Sequence, residues 1–181
     1  HHSRFQSLEA SWRSVSLLIN AARREGVSSK RLQIRLLNIS WREIQRDFER
    51  ASDFDNSQIF KKIYEDEFGT PGGQPFSVMI GDYEIHPRPS QEHPFDDVAI
   101  LGHLAGVAAA AFCPFVCGAS PALFGVDNFA DLQGVQDLGR GFELPEFVKW
   151  RSLRQREDAR FVGLAMPRII LREPHRLANS Q

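Results

Sequence analysis

The chain has 181 residues, 42% of them hydrophobic and 25% charged, with a formal net charge of −1. That is the length of one ordinary domain with enough apolar material for a core, which excludes a wholly disordered chain. No strong field of one sign points to nucleic acid or to an anionic membrane.

The first predicted element is an amphipathic helix over Phe5–Ala22, because Phe5, Leu8, Trp12, Val15, Ile19 and Ala22 recur three or four apart. Gly26 and the serines after it end that region. Leu32, Ile34 and Leu36 alternate with Gln33 and Arg35, which is strand spacing, and Leu37 and Ile39 then shift the phase. Ser40 to Glu43 reads S-x-x-E, a capping box, and predicts a helix to about Ala51 that buries Trp41, Ile44 and Phe48. A second cap at Asp55 or Ser57 opens a helix with Ile59, Phe60, Ile63, Tyr64 and Phe68 on its apolar face, closed by Gly69. After the Gly69–Pro75 loop, Phe76–Ile85 reads as a strand, apolar on both faces and therefore expected in the middle of a sheet.

Pro87, Pro89 and Pro94 make the next stretch a loop. Asp96 and Asp97 suit the positive end of a helix running to about Phe112, rich in Ala and Gly and so able to pack closely. Phe115–Ala119 reads as a short buried strand and Asn128–Gly141 as short helical turns. Pro145 suits the first turn of a helix to about Arg156. Phe161–Ala165 reads as another strand, with Ile169–Leu171 continuing extended. Strands alternating with helices predict an α/β fold, a mixed sheet flanked by helices, in a single domain over residues 1–181.

No chemical site is legible. The Gly69–Gly73 loop follows a helix and has no Lys-Ser/Thr pair behind it, so it reads as a connector and not as a phosphate cradle. Cys113 and Cys117 are separated by three residues, unlike redox or zinc deaminase patterns, and read as buried reduced thiols of a cytoplasmic protein. His86 and His93 flank prolines and are expected at the surface; His103 reads as structural; their spacing matches no familiar zinc arrangement. Glu65, Asp66 and Glu67 point in different directions on a helix and form no acid/base pair. Gly118 to Ala122 lacks the last glycine of a nucleophile elbow. Trp12, Trp41 and Trp150 fall at apolar helical positions and read as core. The basic run from Lys149 to Arg160 is a solvated face, an ion-pair network or an interface. Catalytic, cofactor and metal residues are therefore expected to be none. The longest apolar run, Leu104–Ala119, is broken by Pro114 and too short to span a bilayer, and no secretory signal is legible.

The wording of several segments goes further. Phe5-Gln6-Ser7-Leu8-Glu9-Ala10-Ser11-Trp12-Arg13, Asp53 to Ser57, Phe60-Lys61-Lys62-Ile63-Tyr64-Glu65-Asp66-Glu67-Phe68-Gly69-Thr70-Pro71-Gly72-Gly73, Ile80-Gly81-Asp82-Tyr83-Glu84, Ala119-Ser120-Pro121, Trp150-Arg151-Ser152-Leu153-Arg154 and Arg160-Phe161-Val162-Gly163-Leu164 come in a particular order and spacing. Together they resemble the large sheath subunit of bacterial type VI secretion systems, the TssC/VipB family, from about Phe5 to His175. Pro71, Ala159 and Phe161 depart from the usual aromatic, Ser and Tyr, and the loop from His86 to Pro94 is longer than usual. His1 and His2 fit either a native start of the matched region or a tag remnant.

The resemblance implies a contractile-sheath-type domain with a mechanical role and no catalysis. It implies pairing with a small sheath subunit of TssB/VipA type, stacking with neighbouring sheath subunits around an Hcp inner tube, assembly on a baseplate, and recycling by a ClpV-type AAA+ ATPase, all in the bacterial cytoplasm without nucleic acid or membrane insertion. It also implies a fragment, with an N-terminal segment and the C-terminal half absent. Two other readings stay open: an α/β enzyme binding a small molecule or nucleotide, and an adaptor in another assembly.

Overall fold

The computed structural model describes residues 2–28, 31–135 and 137–169. The chain divides into two compact units, one running to Asn38 and resuming at Arg168, the other spanning Ile39–Pro167.

In the first unit, helix α1 spans Ser3–Arg24, slightly longer than its apolar periodicity predicts. The Nδ1 of His2 accepts the Arg4 N–H at 3.2 Å, and Arg23 and Arg24 sit at the negative end of the helix dipole. Gly26, at φ +67°, then turns the chain in the left-handed region that glycine tolerates. Glu9 and Arg13 pair one turn apart at 2.8 Å. Phe5, Leu8 and Trp12 are all exposed. Trp12 is thus not a core residue: helical spacing creates an apolar stripe but supplies nothing to cover it. The strand predicted over Leu32–Leu36 does not form, and Leu32, Ile34 and Leu36 are exposed. Alternation specifies a strand only where a neighbour completes the ladder. Of the extended stretch predicted at Ile169–Leu171, Ile169 belongs to no strand and the rest lies outside the described residues.

The second unit is built on three parallel strands, β1 (Met79–Ile85), β2 (Phe115–Ala119) and β3 (Val162–Ala165), in the order β1-β2-β3. The α/β class is as read from the sequence, and the described sheet is parallel throughout. Met79 pairs with Phe115 and Ile85 with Ala119, with a register shift between Ile80 and Glu84; Phe115 pairs with Val162 and Gly118 with Ala165. The middle position belongs to β2, not to the Phe76–Ile85 segment. Ile80 is 65% exposed, so the apolar run there is not a two-sided burial signal.

Helix α4 (Asp97–Ala110) connects β1 to β2 and is the spine of the core. Leu101, Ala105, Val107 and Ala108 are fully buried. Its small residues set the packing distance: a Cβ on Gly106 would lie 3.0 Å from the Phe54 ring. Around it pack α2 (Trp41–Arg50), α3 (Gln58–Phe60), which runs into a π-helical segment Lys61–Phe68, and α5 (Val148–Gln155). The Ser40–Glu43 capping box is complete. Helix α3 is capped twice: Ser57 Oγ accepts from Phe60 N–H at 3.0 Å, and Asp47 of α2 accepts from Gln58 and Ile59 N–H at 3.0 and 2.9 Å. Phe60, Tyr64 and Phe68 stack successively, with centroids 4.8 and 5.3 Å apart.

Candidate functional site

The most connected polar group in the core is Asp97, at the first turn of α4, whose side chain is wholly buried. A buried carboxylate must have its lone pairs filled. Trp41 Nε1 donates to Oδ1 at 2.7 Å, and the backbone N–H of His86, just past β1, donates to Oδ2 at 2.8 Å. His93 Nε2 lies 2.7 and 2.8 Å from the two oxygens. His86 Nδ1 stands 3.6 Å from Oδ2 and 3.1 Å from the Glu84 carbonyl. The two imidazoles stack with centroids 4.1 Å apart. Both histidines, expected at the surface, are half-buried, because the proline-rich loop folds back over the start of α4. Sequence reading missed this convergence. The only linear signal is a His four residues before a helix-start Asp, and it is silent about His86. His103 is exposed and stacks on Phe48 at 4.9 Å.

The other candidates are placed apart. In the Gly69–Gly73 loop the backbone donors face inward: Gly69 N–H to the Tyr64 carbonyl at 2.7 Å and Gly73 N–H to the Thr70 carbonyl at 2.9 Å. The Glu67 carboxylate accepts the Gln74 N–H at 2.9 Å. A Cβ on Gly73 would strike the Glu67 carbonyl oxygen, and Gly72 sits at φ +84°. The glycines are there for a tight turn, in which the Gly69, Gly73 and Gln74 N–H groups already have acceptors. Cys113 and Cys117 are buried free thiols, pushed up to about 11 and about 12 by burial, the second also by the nearby Asp97 charge. Such thiols are poor nucleophiles at neutral pH. The Tyr83 hydroxyl, raised to about 12 by burial, donates to the Ile39 carbonyl at 2.6 Å. Ser120 Oγ accepts from Ala122 N–H and caps a short helical turn. No base faces it among the described contacts, so it forms no nucleophile elbow.

Most of the Lys149–Arg160 run is engaged inside the unit. Lys149 pairs with Asp96 at 2.6 Å, Arg151 donates to the Phe142 and Leu144 carbonyls at 2.8 and 2.7 Å, Arg156 donates through Nε to Asp158 at 2.9 Å, and Arg160 donates to the Glu157 carbonyl at 2.7 Å. Beside it opens a groove of about 780 Å³ whose lining includes Leu123, Phe142, Trp150, Leu164, Arg154 and Arg160. Within the described residues of this unit, β3 pairs only with β2. No described helix is long and apolar enough to cross a membrane.

The described residues carry exposed apolar side chains and a buried polar hub, and among them no nucleophile is seen facing a base. The model of the family described as VipB, EvpB/VC_A0108, tail sheath N-terminal domain, matches residues 1–181. The chain belongs to the VipB tail sheath family. The type VI secretion system sheath protein TssC1 of Pseudomonas aeruginosa is 39% identical to it over 177 residues, covering 97% of the chain. The chain spans about a third (34%) of the length of that curated relative. The resemblance read from the ordered segments is therefore that of the family itself.

Proposed function

We propose that the polypeptide carrying this chain is the large structural subunit of a type VI secretion sheath and acts mechanically, without catalysis. The observation that carries this is the match of the sheath N-terminal family to the whole chain, joined to the 39% identity with a sheath protein. On this reading it pairs with a small sheath subunit of TssB/VipA type and stacks with neighbouring sheath subunits around an Hcp tube rising from a baseplate. A ClpV-type AAA+ ATPase recycles the contracted sheath in the bacterial cytoplasm. Residues 1–181 would then be one α/β domain of a longer protein.

Three physical features support it. A contractile wall needs stiff blocks, and the second unit supplies one, with an apolar helix packed into a parallel sheet. It needs surfaces completed by neighbours, and α1 carries the exposed Phe5, Leu8, Leu17 and Trp12. It needs edges for strand addition, and among the described residues β3 pairs only with β2. Energy stored between two packings of such surfaces requires no active site. The nucleotide-binding alternative loses support, since the Gly69, Gly73 and Gln74 N–H groups of the glycine loop already have acceptors.

Electron microscopy of the full-length protein co-expressed with its small partner tests the proposal. Hollow, cogwheel-like tubules are expected. Soluble heterodimers alone, under conditions in which a known sheath pair assembles, would overturn it in favour of an adaptor.

A further inference from the structure

We propose that His86, His93 and Asp97 form a binding site for one divalent transition-metal ion of the zinc type, which clips the proline-rich loop after β1 to the start of α4. One donor atom from each residue lies within 4.8 Å of the others. Two imidazole nitrogens and a carboxylate oxygen are a donor set that suits zinc, with solvent in the fourth position.

Three observations favour a cation here over a hydrogen-bonded cluster alone. The first is charge. Asp97 is wholly buried, and among the described residues no Lys or Arg pairs with it; its only ion-pair partners are the two histidines. An imidazole balances a buried carboxylate only when doubly protonated, whereas a divalent ion does so with both rings neutral. The second is outer-shell order. An ionised carboxylate offers about four lone-pair sites. The Trp41 indole and the His86 backbone N–H fill one on each oxygen, fixing the plane of the group and leaving the remaining sites turned toward the imidazoles. The third is reach. Bonds of about 2.0–2.1 Å place tetrahedral ligand atoms about 3.3–3.4 Å apart. His86 Nδ1 is already 3.6 Å from Oδ2. For that geometry His86 Nδ1 must give up the Glu84 carbonyl 3.1 Å away, the two stacked rings must turn until both lone pairs meet one ion, and His93 Nε2, at 2.7 Å, must withdraw by about 0.6 Å. Its ring is 20% exposed and that of His86 29%, so the loop side has room for the movement and for entry of the ion. Pro87, Pro89 and Pro94 hold φ fixed along the loop, which lowers the entropy lost on closing the site. The linear spacing of the three residues matches no familiar zinc pattern; the fold gathers them from the end of β1, the loop and α4.

The test uses the whole polypeptide, stripped with chelator and titrated with Co(II) and Zn(II). Expected are one saturable site per chain, visible Co(II) d–d bands of a nitrogen- and oxygen-ligated centre, and a rise in Tm with Zn(II). His86→Ala removes a ligand but keeps the backbone N–H on Asp97, so the fold survives it. Its Zn(II) affinity should fall at least about tenfold, the loss seen even for outer-shell partners. His93→Ala should behave alike. If that variant fails to fold, His86→Ala and the wild-type Co(II) spectrum decide. No saturable binding to the wild type, or an affinity unchanged in His86→Ala, overturns the proposal and leaves a hydrogen-bonded hub. Sheath assembly is not the readout, so failure here is separate from failure of the sheath reading.

Discussion

The indole Nε1 of Trp41 donates to the buried Oδ1 of Asp97 at 2.7 Å, joining α2 to α4 across 56 residues of sequence. Trp41→Phe keeps most of the ring's packing and removes the donor, leaving one lone pair of a buried carboxylate unfilled. The expected loss is about 1–3 kcal/mol. Urea unfolding should show a lower midpoint at an unchanged m value. A loss indistinguishable from zero would mean that water replaces the indole and that the hub is less dry than its burial implies.

The Ser40–Glu43 box supplies a pH dependence of known sign. Glu43 Oε2 accepts from Ser40 Oγ at 2.6 Å and from Ser40 N–H at 2.7 Å, and these bonds hold the carboxyl below its ordinary value near 4.5. A carboxyl depressed in the folded state stabilises it above that ordinary value, and the contribution fades as pH falls below it. Glu43→Gln should therefore be less stable than the wild type at pH 7, with the gap narrowing toward pH 3. Paired denaturation curves at the two pH values check this. A gap that is constant with pH would mean that the glutamate acts only through shape.

Local signals in the sequence were legible and tertiary ones were not. The capping box, the Asp96 cap of α4, the Gly69 stop and the bounds of β2 all rest on residues within a few positions of one another, and the fold has each of them. The second cap of α3 by Asp47 is set by how α2 lies, eleven residues away, and no local pattern announces it. Phe76–Ile85 reads as a central strand because it is apolar on both faces, but strand order depends on which strands come later, and Phe115–Ala119 takes the middle. Trp12 fits a helix face as well as Trp41 does; only the neighbours make one exposed and the other buried. The His86–His93–Asp97 cluster was invisible for the same reason, since it exists only once the loop closes over α4.

The two thiols give a second pH effect, of opposite sense. Cys113 and Cys117 are pushed up to about 11 and about 12, above their ordinary value of 9.0. A proton held more tightly in the folded state gives stability that is full below 9 and drains away as pH rises toward those values. Unfolding should therefore become easier above pH 9, and less so in Cys117→Ala, measured against its own neutral-pH baseline. At pH 8 neither thiol should react with a disulfide reagent until the core opens, so Trp41→Phe should speed labelling in proportion to its loss of stability. Fast stoichiometric labelling of the native wild type would contradict the burial of both groups.

Phe112 separates stability from surface function. It follows α4 at φ +50°, in the left-handed position that usually ends a helix with glycine, and the residue is 71% exposed. That conformation costs an L-residue about 1–2 kcal/mol. The ring recovers part of this through peripheral contacts with Phe68 and Phe161, at 6.2 and 6.1 Å between centroids. Phe112→Gly removes both terms and should leave stability equal or higher by up to about 1 kcal/mol. Phe112→Ala keeps the strained backbone, loses the ring, and should be the least stable of the three. Thermal unfolding of the series checks the order. If Phe112→Gly is also stable yet impairs the tubule formation proposed for the full-length protein, the exposed ring is retained for assembly and its backbone strain is tolerated for that contact. If it falls as far as Phe112→Ala, the aromatic contacts outweigh the strain, and the ring belongs to the fold.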